Sequence, residues 1–238
     1  MTPIDATKQI SRVTGEFCAH YGLTRPQLAE RMEQRQQGVN AEFDAWVAAN
    51  GETEESLRQF YASCEWMPYS FLGTAWRALR EWTGWLEEQL DASCLHLVLD
   101  VGCGFGAAAG ALPARFSVTL ADVAGPHLEF TRKLWPAASV MTLDELAAHS
   151  GTAGAVLSLA VLEHVPDPAA HLDRLLGRVA PGGVLVLAYH FGHYDGVHTH
   201  LRRHQASGMA ERFPQIIASR GLRKVASKGA DLEIWERT

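Results

Sequence analysis

Lysine is scarce in this chain: four residues against seventeen arginines, among 238 in all. The formal net charge is −6, and basic residues never run longer than pairs such as Arg202–Arg203. A nucleic-acid partner calls for a basic face, so that class is excluded as the main partner. Cysteine is also sparse. Cys18, Cys64, Cys94 and Cys103 are scattered without metal-type spacing. They read as reduced thiols, which excludes a disulfide framework and places the protein in the cytoplasm. No apolar run reaches membrane-spanning length, so no membrane partner is expected. The opening residues, MTPIDATKQI, lack the apolar core of a signal peptide.

What is present is ordinary for a globular chain, 47% hydrophobic and 20% charged. One large domain, or one domain with an extension, is expected. Such a chain buries enough apolar surface to fold without disulfides or metal. Composition leaves a monomer and a homodimer equally open.

The two parts of the chain follow different patterns. Residues 1–93 read as helices, with apolar residues at helical spacing in FCAHYGL, LAERM and SLRQFYASCEWM. Thr24-Arg-Pro-Gln and Thr53-Glu-Glu-Ser are helix starts, and one long helix is predicted from Pro68 to Leu90. Five of the seven tryptophans lie in this part. They fit core packing, or a pocket wall near Trp66, Tyr69 and Phe71. From residue 94 to 238, short continuous apolar runs (LHLVLDV, FSVTLADV, ASVMTL, GAVLSLAV, GGVLVLAYH) alternate with helical segments. That alternation predicts βαβ units on a mostly parallel sheet. Leu222–Ser227 and Leu232–Glu236 flank Lys228-Gly-Ala-Asp, a hairpin signal at the C-terminal edge.

VLDVGCGFGA joins the first strand to an alanine-rich helix start. Gly102, Gly104 and Gly106 suit a turn with positive φ and a backbone close to a ligand. Gly102, Gly104 and Ala107 also satisfy the dinucleotide pattern. Asp100 separates the two readings. A pyrophosphate on this turn would meet its carboxylate at short range, whereas a positively charged ligand would be favoured. S-adenosyl-L-methionine carries a sulfonium and an ammonium and no phosphate, so it is chemically matched. Asp122, ending FSVTLADV, can accept hydrogen bonds from both hydroxyls of a ribose. It also fits a helix cap.

VLDVGCGFG, LADV, LSLAVLEHVPDP and LGRVAPGGVLVLAYH, in this order, resemble class I S-adenosylmethionine-dependent methyltransferases. They are most similar to the small-molecule methyltransferases of ubiquinone biosynthesis. The resemblance spans about residues 94–238. It implies an α/β fold: a Rossmann-like, doubly wound, seven-stranded sheet with a C-terminal antiparallel hairpin. The N-terminal helices would be a cap. It implies that Asp100, Gly102, Cys103, Gly104 and Gly106 form the turn holding the amino-acid end of the cofactor. Asp122 would hold the ribose and Val123 would pack on the adenine. The family often places an acidic residue after the third strand; in VMTLDEL, Thr142, Leu143 or Asp144 could match. Ser158, Leu159 and Ala160 end the fourth strand and would line the methionine end. The aspartate that usually begins that strand is missing from GTAGAVLSLAV.

Ligands in such sheets lie outside the carboxyl ends of the strands. Two segments meet that condition. Glu163-His164 follows the fourth strand, where His164 fits packing, a cap or a general base. YHFGHYDGVHTHLRRH, residues 189–204, follows the fifth and holds five of the eleven histidines. It reads as a polar loop, as a source of a base or substrate-orienting donor, or as a metal site through His193-x-Asp195 and His198-x-His200. His193 and His198 are the candidate bases. No metal ligand set is assigned from spacing alone. The expected activity is methyl transfer to a small molecule under a lid made by residues 1–93. The alternatives are another S-adenosylmethionine reaction, cyclisation or aminobutyryl transfer, and a non-catalytic binding protein.

Overall fold

The computed structural model describes residues 5–191, 196–229 and 232–237. It opens with α1 (Ala6–Tyr21), α2 (Arg25–Asn50), α3 (Glu54–Ser63), α4 (Met67–Arg77) and α5 (Thr83–Ala92). Both predicted starts are present. Thr24 and Gln27 form a reciprocal capping box with Pro26 in the first turn of α2, and the Thr53 side chain caps α3. The long helix expected from Pro68 to Leu90 exists, but with one π turn over Ala78–Trp82 between α4 and α5. The Ala78 carbonyl accepts the Thr83 amide, the bond that marks the wider turn, and Thr83 Oγ1 donates to the same oxygen at 3.1 Å.

The sheet holds β1 (Leu97–Val101), β2 (Ser117–Asp122), β3 (Ser139–Thr142), β4 (Ala153–Leu159), β5 (Val179–Ala188), β6 (Leu222–Lys228) and β7 (Leu232–Arg237). Their spatial order is β3-β2-β1-β4-β5-β7-β6. The first five are parallel, and β7 runs antiparallel to both β5 and β6. The expected parallel sheet and terminal hairpin are both there. Strand order reverses between β1 and β4, which opens a crevice at their carboxyl ends.

Alternation along the strands decides the two core layers. Val98, Leu120, Leu157 and Val186 share one buried cluster with α1, α4, α5, α6 (Ala107–Gly110) and α7 (Pro126–Leu134). Leu99, Val156, Leu185 and Leu187 face α8 (Leu143–Ala148), α9 (Pro168–Leu176) and α11 (Met209–Ser219). Helices α1, α4 and α5 are therefore a layer on the sheet itself. Phe17, on α1, meets Phe105 and Phe130 at ring-centroid distances of 5.8 and 5.9 Å. Burying such a ring contributes about 2–3 kcal/mol. A third cluster joins α2 and α3 through Val39, Phe43, Leu57 and Phe60. Leu201, just before α10 (Arg202–Ala206), completes it. Among the described residues no helix is long and apolar enough to cross a membrane.

Candidate functional site

A cavity of about 520 Å³ opens at the switch point between β1 and β4. That size suits a small-molecule ligand. Its two ends differ in construction.

One end is the glycine turn. Gly102, Gly104 and Gly106 have φ of 76°, 53° and 67°. The amides of Gly102 and Cys103 donate to the Ala121 carbonyl at 2.8 and 3.1 Å, folding the turn back over β2. A Cβ on Gly102 would lie 2.5 Å from Val161, and one on Gly106 would lie 2.5 Å from Leu120. A Cβ on Gly104 would stand 3.1 Å from the Phe71 ring of α4. Asp122 is buried at the end of β2. Its Oδ2 accepts from the Gly104 amide at 2.6 Å and its Oδ1 from the Val123 amide at 2.7 Å. Each carboxylate oxygen keeps a second lone pair for a ligand. The buried His127 brings Nε2 to 3.6 Å from Oδ1.

Asp100 is buried beside this turn. Burial, reinforced by the like charge of Asp122, pushes its carboxyl up to about 7. Among the described residues no lysine or arginine forms an ion pair with Asp100 or Asp122. Two buried carboxyl groups with no lysine or arginine paired to them form a site that repels phosphate and favours a positive ligand.

Most of the expected cofactor residues meet here. Asp100, Gly102, Cys103 and Gly104 line the cavity, and so do Asp122 and Val123. Of the three candidates after β3, Leu143 is the one that lines it. Thr142 is instead the cap of α8, and Asp144 pairs with Arg58 at 2.6 Å. Leu159 and Ala160 line the cavity, whereas Ser158 is fully buried with its Oγ unpartnered. Gly106 caps α6 behind the turn. Ala160 takes φ 56°, a strained left-handed conformation for alanine, held by its amide donating to Ala188 at 2.8 Å.

At the other end, Glu163 and His164 sit on the single helical turn Leu162–His164 after β4. Glu163 is 2% exposed and its Oε2 has no hydrogen-bond partner. Burial pushes this carboxyl up to about 8. His164 Nδ1 bonds to the Thr199 carbonyl at 2.9 Å. A carbonyl only accepts, so Nδ1 carries the proton and Nε2 keeps its lone pair. The His164 ring packs edge-on against Tyr61 at 5.7 Å and His200 at 4.9 Å. Burial pushes the two imidazoles down, His164 to about 4 and His200 to about 3, so both are neutral at pH 7.

The His-rich segment is divided in function by its contacts. His193, with Gly192, Tyr194 and Asp195, lies outside the described residues. His198 points at the cap: Nδ1 meets Asp44 of α2 at 2.7 Å, and its amide donates to Asn40 at 3.1 Å. It is not among the residues lining the cavity, whereas His190 and His200 are. His204 donates from Nε2 to the Val165 carbonyl at 2.7 Å. Arg203 holds Glu52 with bonds of 2.6 and 2.9 Å to its carboxylate. Sequence reasoning missed Tyr61, Phe71's contact with Gly104, and the pairing of His200 with His164. Phe71 carried a signal as an aromatic near a proline break, and His200 as half of the His198-x-His200 pair.

The methyltransferase-domain family model matches residues 75–237. The chain belongs to that family. It is 38% identical over 121 residues to an uncharacterized methyltransferase of Mycobacterium tuberculosis, covering 48% of this chain and 61% of that one. It is 37% identical over 101 residues to a ubiquinone biosynthesis O-methyltransferase of Psychrobacter arcticus, covering 38% and 39%. The chain thus spans less than two thirds of the length of these relatives. The crystal structure of the mitomycin 7-O-methyltransferase MmcR superposes with a TM-score of 0.58 at 17% identity, over 100% of this chain and 74% of that one. The fold is that of class I S-adenosylmethionine-dependent methyltransferases, as the motifs implied.

Proposed function

We propose that this chain is a cytoplasmic S-adenosylmethionine-dependent methyltransferase acting on a small molecule of specialised metabolism. The observation that carries the reading is the buried pair Asp100 and Asp122, with no lysine or arginine paired to either among the described residues, beside a turn of three left-handed glycines. When bound, S-adenosylmethionine supplies an electrophilic methyl carbon and leaves as a neutral thioether.

The residues present fit that cofactor. Asp100 favours its positive end, the free lone pairs of Asp122 suit ribose hydroxyls, and Val123 and Leu143 offer apolar walls. The Gly104 cradle would be filled by any Cβ. At the far end, Glu163, His164 and His200 face the position of the acceptor. Neutral imidazoles there present lone pairs and no repelling charge. Helices α2 and α3 close over this end as a cap and exclude water. His198 serves by holding the His-rich segment to that cap, and His193 remains a candidate base. Of residues 1–93, α2 and α3 carry the cap role, while α1, α4 and α5 pack on the sheet of residues 94–238 and Phe71 of α4 reaches Gly104.

Calorimetric titration with S-adenosylmethionine tests the reading. Binding by the wild type and its loss in Asp122→Ala are expected. Absence of binding by the wild type would revive the non-catalytic reading. Product analysis then separates the reactions. S-adenosylhomocysteine marks methyl transfer, and methylthioadenosine marks aminobutyryl transfer.

A further inference from the structure

The substrate end of the cavity holds more polar chemistry than positioning requires. One ring nitrogen from each of His164 and His200 and one carboxylate oxygen of Glu163 lie within 4.8 Å of one another. These groups come from two places, the turn after β4 and the segment after residue 196. Glu163 Oε2 is buried without a hydrogen-bond donor. A buried carboxyl oxygen without a partner is costly, and a cation bound beside it would satisfy it and favour the ionised form. The Thr199 carbonyl fixes the His164 tautomer through Nδ1, at 2.9 Å. Such a bond is the usual outer support of a metal-binding imidazole.

We propose that Glu163, His164 and His200 hold a divalent transition-metal ion at the substrate end of the cavity. Two imidazoles and one carboxylate form a borderline donor set, suited to zinc, iron or manganese rather than to calcium. Ligands about 2.1 Å from a tetrahedral ion stand about 3.4 Å apart, so the three groups close slightly on loading. Three protein ligands leave coordination positions open toward the cavity. An oxygen donor of the substrate, a hydroxyl or carboxylate, would take them. That substrate clause rests on the methyltransferase reading; the metal site itself does not.

The third ligand is conditional. His200 reaches Glu163 only because its segment is clamped on both sides. Leu201 donates its amide to the Glu163 carbonyl at 3.1 Å and buries its side chain among Val39, Phe43 and Phe60. His198 and Asn40 tie the same segment to α2. Metal affinity should therefore report whether the segment is docked on the cap.

The test uses the full chain, stripped with a chelator, and titrated with cobalt(II) read by visible absorption. Zinc competition against a chromophoric chelator gives the affinity. One ion per chain is expected. Glu163→Gln keeps the shape of the side chain, and it should weaken binding by at least about 100-fold, beyond the loss typical of an outer-shell change. His200→Ala should do the same. Thermal melts of both variants confirm that they are folded. Titration of the same samples with S-adenosylmethionine should change little, because Asp100 and Asp122 are untouched. A wild type that takes up no stoichiometric ion overturns the proposal, as do two folded variants with wild-type affinity. Failure of the wild type to bind S-adenosylmethionine would instead count against the methyltransferase reading alone.

Discussion

At the glycine-turn end of the cavity, the decisive bonds are local. Asp122 reaches Gly104, 18 residues away, and the next residue, Val123. At the Glu163 end the partners are remote. His164 and Thr199 are 35 residues apart, and His198 and Asp44 are 154 apart. The first end is preformed by one strand-turn-helix and its neighbouring strand. The second exists only when cap, β4 turn and His-rich segment meet. The difference teaches that cofactor binding and substrate handling should fail independently.

The strongest way to break this comparison is Asp122→Ala. It removes the ribose acceptor and orphans the buried amides of Gly104 and Val123. Each orphaned donor costs about 1–3 kcal/mol of stability, and loss of the charged hydrogen bonds to the ribose hydroxyls should lower cofactor affinity by about 100-fold in calorimetry. Metal uptake at the other end should persist.

Gly102→Ala comes next and tests how rigid the local end is. Its φ of 76° and the Val161 side chain, 2.5 Å from where the new methyl would stand, act together. Thermal unfolding should show a loss of about 2–3 kcal/mol. Gly182→Ala is the matched control, with φ 73° and no atom within 4 Å. It should cost only about 1 kcal/mol. Equal losses would mean that packing at the turn is unimportant.

Asp100→Asn should weaken cofactor binding by about tenfold, the size of one partly screened charge contact, and change its pH dependence. The buried Asp100 carboxyl is raised to about 7 from an ordinary 3.8. Between those values the folded state holds a proton that the unfolded state has released, so stability without ligand falls as pH rises through that window. A cationic ligand favours the ionised form, so wild-type affinity should tighten as pH rises toward 7 and level off above it. The Asp100→Asn variant should lose both slopes. Unchanged slopes would remove Asp100 from the account.

His198→Ala carries the smallest expected effect. Its pair with Asp44 is partly exposed and contributes about 1 kcal/mol or less. Cofactor affinity should stay unchanged while substrate KM rises a few-fold, read in a steady-state assay. A loss of kcat with unchanged KM would restore His198 as a base.

What could be read from the sequence follows the same division. Strands, hairpin and glycine turn were legible because alternation, turn chemistry and spacing act within one or two elements. Asp100, Asp122 and Val123 could be placed by strand ends alone. Leu143 over Thr142 and Asp144 could not, since a capping box and an ion pair with Arg58 occupy the other two. The π turn at Ala78–Trp82 left no mark in the apolar stripe. Tyr61 was invisible as a site residue, and His200, a candidate ligand only through His198-x-His200, could not be matched with His164, because both meetings depend on tertiary docking. The histidine cluster drew attention to the right segment, but spacing did not tell His198, turned to the cap, from His200, turned to the cavity.

The central claim is that two buried carboxylates make the glycine turn a site for a cationic adenosine cofactor. Parallel calorimetric titrations of the wild type with S-adenosylmethionine and with NADH test it most directly. The account predicts saturable one-to-one binding of S-adenosylmethionine and no heat from NADH. Binding of NADH without binding of S-adenosylmethionine would contradict it.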